Sequence, residues 1–134
     1  MKSAKYTLTR GAEADLDEIY KRSLAQFGRD QTNRFMADLK KAAEFAADHH
    51  GKIPTRSHLT GDSGLSLYPV NNHFLAYRPV APNHIVVIAI FRQSRDVAAL
   101  IVANAETFRK DFLNIEEKIK RGEIVFEGIR PPEK

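Results

Sequence analysis

The sequence predicts an α+β fold: an N-terminal β-strand, an antiparallel helical hairpin, a three-stranded antiparallel meander and a C-terminal helix. Three observations carry that expectation. Apolar residues recur at the helical period through two successive stretches, then give way to β-prone runs. Those runs are separated only by Asn71-Asn72 and Ala81-Pro82-Asn83, connections short enough for hairpins. Ile85-Val-Val-Ile-Ala-Ile-Phe91 is apolar throughout, which reads as a strand buried on both faces and central in its sheet. Helices on one face of such a meander complete an α+β arrangement.

Taken in order, Tyr6-Thr-Leu-Thr9 is a short β-prone stretch and a candidate fourth strand, with Tyr6 and Leu8 on one face. A helix follows whose stripe is Ala12, Leu16, Ile19, Tyr20, Leu24 and Phe27, with Asp15, Asp17 and Glu18 near its start. Gly28 is a natural stop, and Asp30 can cap a second helix with stripe Phe35, Met36, Leu39, Ala42, Ala43 and Ala46. The two should form an antiparallel hairpin over about residues 10–48. Residues 49–63 read as a loop, broken by Gly51, Pro54, Gly61 and Asp62. Strands are expected over residues 64–70, 73–80 and 84–92. A third helix is expected from Val97 past Ile119 to a stop at Gly122, with Ile101, Ala105, Phe108, Phe112, Ile115 and Ile119 as a stripe that must bury against something. The segment from Glu123 can hold one more short strand before a disordered end.

At 134 residues the chain is expected to be a single domain, with about 101–134 as a helical extension and tail. Hydrophobic content of 43% and charged content of 28% are those expected of an ordinary soluble globular protein. No apolar run is long enough for a transmembrane helix, and the start lacks the apolar region of a secretory signal. With no cysteine, disulfides, thiol nucleophiles and thiolate metal sites are excluded, and a cytoplasmic location is expected. The net charge of +4 allows an acidic partner without singling one out.

The charged residues that stand out are Arg92 and Arg95, at the exit of the apolar strand, where they must lie at the sheet's rim or carry a partner. They can equally pair with Asp96 or a helix carboxylate. Together with Lys52, Arg56 and Arg78 they can line one concave face. Lys118-Ile-Lys-Arg121 lacks interleaved aromatics and suits a helix C-terminus better than a nucleic-acid patch. Beyond the pair His49-His50, no ligand set for a metal appears, and there is no phosphate-binding glycine loop.

The order Tyr6-Thr-Leu-Thr9, Ala14-Asp-Leu-Asp-Glu-Ile19, Phe27-Gly28, Leu59 to Gly64, Tyr68, Tyr77-Arg78 and Ile88 to Arg95-Asp96 resembles the ParE branch of the RelE/ParE toxin superfamily. The resemblance spans about residues 4–100 and rests on a pattern of short, degenerate elements. It implies a plasmid-stabilising bacterial toxin that inhibits DNA gyrase by binding and is neutralised by a cognate antitoxin. Arg56, Arg78, Arg92 and Arg95 are then the expected partner-binding residues, with no cofactor and no sequence-specific nucleic-acid contact.

RelE-type relatives are instead ribosome-dependent mRNA endoribonucleases, and a third alternative is a non-toxic binding module of the same fold. RNA cleavage needs an acid and a base beside cations. Where such relatives place His or Tyr after the last strand, this chain has Gln93-Ser94. His58 is the best candidate base among the histidines at 49, 50, 58, 73 and 84, although a solvated loop histidine is the simpler reading. The non-catalytic branch is therefore favoured. The chain departs from the family in continuing for nearly forty residues past Asp96, which can complete the core, extend an interface or form a dimer seam.

Overall fold

A computed structural model describes residues 5–54 and 56–123. The elements run β1 (Tyr6–Leu8), α1 (Arg10–Phe27), α2 (Arg29–His49), a 3-10 turn (His50–Lys52), α3 (Ser57–Thr60), β2 (Ser66–Val70), β3 (His73–Ala81), β4 (His84–Arg92), α4 (Val97–Ala103) and α5 (Ala105–Lys120). The sheet order is β1-β4-β3-β2. β2, β3 and β4 form the antiparallel meander, and β1 pairs with β4 in parallel. The apolar strand is thus interior, as its composition requires. Among the described residues no helix is long and apolar enough to cross a membrane.

Local chemistry fixes the ends of these elements. Thr9 caps α1 by accepting from the Ala12 amide at 3.1 Å, and its hydroxyl donates to the Ile88 carbonyl at 3.1 Å, tying the helix to β4. Pro82 and Asn83, the latter at φ 65°, supply the fixed and positive dihedrals that the β3–β4 turn needs. The β2–β3 turn places Asn71 at φ 53°, a conformation asparagine tolerates.

The hairpin buries its stripe on one face of the sheet. Ile19, Met36, Leu39, Ala43 and Ala46 pack against Tyr6, Leu75, Tyr77, Ile85, Val87 and Ile90. The other face carries Leu67, Ala76, Val86, Ile88, Ala89 and Phe91, covered by Val97, Ile101 and Phe112. Helices therefore cover both faces, not one. The reason is visible in β4, where every residue from Ile85 to Phe91 is buried, so each face needs a lid.

Other expectations are corrected by the same packing. Leu24 and Phe27 belong to no core and stand 37% and 51% exposed, because α1 outruns the layer it packs on. Gly28, at φ 85°, ends α1 and begins α2 with no side-chain cap, so Asp30 does not cap the second helix. The loop over residues 49–63 contains the 3-10 turn and α3. The third helix is two helices, interrupted at Asn104, whose side-chain nitrogen donates to the Leu100 carbonyl at 2.8 Å and helps satisfy the end of α4. Ala105, expected in the buried stripe, is exposed. The expected tail strand lies outside the described residues.

A β-bulge in β4 decides where the strand's exit points. Ala76 pairs with Ala89 and Tyr77 with Val87, which leaves Ile88 without a partner on β3. Ile88 and Ala89 consequently both face α4 and α5. Beyond the bulge the alternation is inverted, so Phe91 points to that side and Arg92 to the hairpin side.

Candidate functional site

The strand exit is anchored by its neighbours. Arg92 stands opposite His73 in the β3–β4 register. The Gln93 amide donates to the Asn72 carbonyl at 2.9 Å, and its side chain donates to the His73 carbonyl at 2.9 Å. Gln93 thus bolts the exit onto the β2–β3 turn. The Arg95 amide donates to the Arg92 carbonyl at 3.1 Å, closing a tight turn. The Asp96 carboxylate accepts from the Ala99 amide at 3.1 Å and caps α4. Asp96 therefore serves the helix, and among the described residues neither Arg92 nor Arg95 forms an ion pair.

Arg92 and Arg95 share a groove of about 410 Å³ between α1 and the pair α4–α5, floored by the second half of β4. β1 has ended by this point, so the backbone edge of β4 needs other partners. Asp15 supplies one by accepting from the Ile90 amide at 3.0 Å. Burial pushes the Asp15 carboxyl above the usual carboxylate range, and that hydrogen bond partly offsets the rise.

Arg78 and Arg56 lie on the other side. The Arg78 guanidinium sits 4.3 Å from the centre of the Phe112 ring, and Arg56 sits 5.5 Å from that of Phe74. Phe112 belongs to the core beneath α4 and α5, and Phe74 is partly buried against that core. Gly64 adopts φ 80°, and a side-chain carbon placed there would come within ordinary contact distance of the Arg78 guanidinium. Arg56 is itself in the left-handed region, at φ 56°, where it starts α3. The concave face expected to hold all the cations is therefore not assembled: the bulge sends Arg92 to one side of the sheet, while Arg56 and Arg78 remain on the other. Lys52 is exposed on the 3-10 turn.

The histidines separate clearly. His58 is exposed on α3. His49 stacks on Phe45 with ring centres 4.2 Å apart, and a ring nitrogen of His50 lies 3.1 Å from the Ala81 carbonyl oxygen. His73, which nothing in the sequence singles out, is 7% exposed and lies 5.1 Å from the Phe35 ring. Burial first, and then the charges of Arg92 and Arg22, hold its imidazole below the usual pKa, so it is neutral at physiological pH. It lines a hollow of about 640 Å³ at the α1–α2 junction. The signal that could have found it is positional: a two-residue turn puts the first residue of β3 opposite the end of β4, next to Arg92. Among the described residues no three His, Asp or Glu side chains gather closely enough to hold a metal ion.

Set beside known proteins, the chain matches over residues 6–97 a family described as "ParE toxin of type II toxin-antitoxin system, parDE". No curated protein matches its sequence. A solved structure described as "Chromosomal ParDE TA system from P. aeruginosa" is similar at 20% identity and a TM-score of 0.55, covering 67% of this chain and 96% of that one. At that identity the likeness concerns the fold. The family match stops at Val97, the first residue of α4, so the α4–α5 layer lies almost wholly beyond it.

Proposed function

The chain belongs to the ParE toxin family of type II toxin–antitoxin systems, and from that premise we propose that it inhibits DNA gyrase by binding, without chemistry of its own, and is neutralised by a cognate antitoxin. The family match is the observation that carries this reading. The distribution of side chains supports it. His58 lies exposed and lines neither of the grooves that hold Arg78, Arg92 and Arg95, so the histidine expected as a ribonuclease's base does not stand beside those cations.

The antitoxin contributes a segment that is disordered alone and folds along the toxin. Both faces of the sheet are already covered by the chain's own helices, so this segment runs over the hairpin and along the groove at the end of β4. Arg92 and Arg95 meet its acidic side chains there, with Arg56 and Arg78 as outlying contacts. The same unpaired arginines suit an acidic surface of the target.

Expression in bacteria should accumulate gyrase–DNA cleavage complexes, and the purified protein should inhibit supercoiling while leaving RNA intact. Arg92→Glu and Arg95→Glu should weaken binding to the product of the neighbouring gene, and His58→Ala should leave toxicity nearly unchanged. Ribosome-dependent mRNA cleavage that disappears in His58→Ala would overturn the choice in favour of the nuclease. Harmless overexpression with no complex formed with the neighbouring product would remove the toxin reading altogether.

A further inference from the structure

The hollow of about 640 Å³ at the tip of the hairpin lies between the α1–α2 junction and the β2–β3 turn, and its charges are lopsided. Arg22, Arg34 and Arg92 line it against one carboxylate, Asp38. That carboxylate is engaged, accepting from the Asn71 side chain at 3.2 Å. Arg22 reaches Glu18 on its own helix at 3.4 Å, a long, exposed contact of small value. Among the described residues Arg34 and Arg92 form no ion pair. His73 lies in the wall, 7% exposed, with its Nδ1 lacking a hydrogen-bond partner among the described residues.

Such an arrangement carries two electrostatic costs. Unneutralised cations converge on a concave surface, where low-dielectric walls concentrate their field. A buried imidazole nitrogen without a partner adds a desolvation cost of its own. An anion in the hollow relieves the first cost, and its charge favours protonation of the nearby imidazole.

We infer that this hollow is a binding site for a phosphate monoester that carries an aromatic ring, the chemistry of a nucleoside monophosphate. The guanidinium forks match phosphate oxygens, which several arginines can hold at once. The volume falls within the range of about 300–1,000 Å³ typical of small-ligand sites. Two aromatic side chains also line the hollow: Phe35, packed on His73, and Phe27, which is 51% exposed although it belongs to no core. A planar base can stack on Phe27 while its phosphate meets the arginines.

The test uses the full chain, following the imidazole signals of His73 by NMR during titration with inorganic phosphate and then adenosine 5′-monophosphate. Sodium chloride at matched ionic strength and citrate serve as controls. Phosphate should give a saturable shift and raise the His73 pKa, and the nucleotide should bind roughly tenfold more tightly. Arg34→Gln and Arg92→Gln should each weaken both ligands by roughly tenfold, and Phe27→Ala should abolish only the nucleotide's advantage. These three side chains are exposed, so the variants should keep the parent fold, which the remainder of the spectrum reports. An equal response to sodium chloride, or citrate binding as tightly as phosphate, overturns the site. A nucleotide that binds no better than phosphate overturns the ring-bearing ligand. The toxin reading is tested apart: Arg34→Gln should leave antitoxin binding intact, and Arg95→Glu should weaken antitoxin without affecting phosphate.

Discussion

Replacing Phe112 by alanine tests whether the α4–α5 layer belongs to the same cooperative unit as the family-like core. The ring is 3% exposed and sits among Ile88, Ala89, Phe91 and Ile101, so its removal leaves a cavity under α5. Truncations of this kind cost about 3–5 kcal/mol. The ring also carries the Arg78 guanidinium at 4.3 Å, an interaction expected to contribute about 1 kcal/mol at a half-buried site. A double-mutant cycle with Arg78→Met, which keeps the apolar stem, isolates that coupling. Equilibrium urea denaturation followed by circular dichroism should show one transition in every variant, with Phe112→Ala losing as much as Leu39→Ala on the opposite face, where about 2–5 kcal/mol is expected. A loss below about 1 kcal/mol, or a separate early transition, would refute the claim that α5 completes the core. It would then be an appendage resting on a finished domain.

Three other residues give outcomes of their own. Asp15→Asn keeps an acceptor for the Ile90 amide without a charge to bury, so its stability relative to the parent should rise as pH climbs through the carboxylate range, while Asp15→Ala, which strands that amide, should cost about 1 kcal/mol across the range. His73 has a folded pKa below its unfolded value near 6.5, so the unfolded chain takes up the proton first. Stability measured by denaturation should therefore fall as pH drops from about 6.5 toward the folded pKa, and His73→Gln should lose that part of the pH dependence. Gly28 adopts φ 85° and ψ 178°, and a side-chain carbon placed there would meet nothing within 4 Å, so the cost of Gly28→Ala is pure backbone strain, about 1–3 kcal/mol in thermal unfolding. An unchanged melting temperature would show that the helix junction can relax.

Much of the fold is legible in the sequence because β4 is extreme. An apolar run from Ile85 to Phe91 leaves little choice but a doubly buried strand, and the Asn71-Asn72 and Pro82-Asn83 turns fix its neighbours. The strand limits of β4 agree with the sequence expectation, and those of β2 and β3 differ by one or two residues. The expectation of helices on a single face fails because two clues belong together. A doubly buried strand needs two covering layers, and the stripe through Ile101, Phe108 and Phe112 needs something to cover. Leu24 and Phe27 show another limit: the helical period tells which way a side chain points, but not how far the opposing layer extends. His73 is hard to find because a histidine at a strand start reads as solvated, and its burial comes from Phe35, a residue nearly forty positions earlier in the chain.

The candidate site is the least legible part, and the bulge at Ile88 explains why. Strict alternation along β4 would put Arg92 on the same side as Val86 and Ile88, and hence on the side of Arg78. One unpaired residue reverses that parity. The reversal does two jobs at once. It turns Phe91 under α5, where it meets Phe108 at 6.2 Å between ring centres, so the second core gains an aromatic at its end. It also releases Arg92 from a position among Val97, Ile101 and Phe112, where its charge would be buried, and delivers it to the hollow beside His73, Arg22 and Arg34. A regular strand would satisfy neither requirement, since the aromatic would face the hairpin and the cation the apolar layer. The bulge thus couples the packing of the C-terminal helices to the placement of the exit arginine. Changes that tighten one are transmitted to the other through the backbone of a single strand.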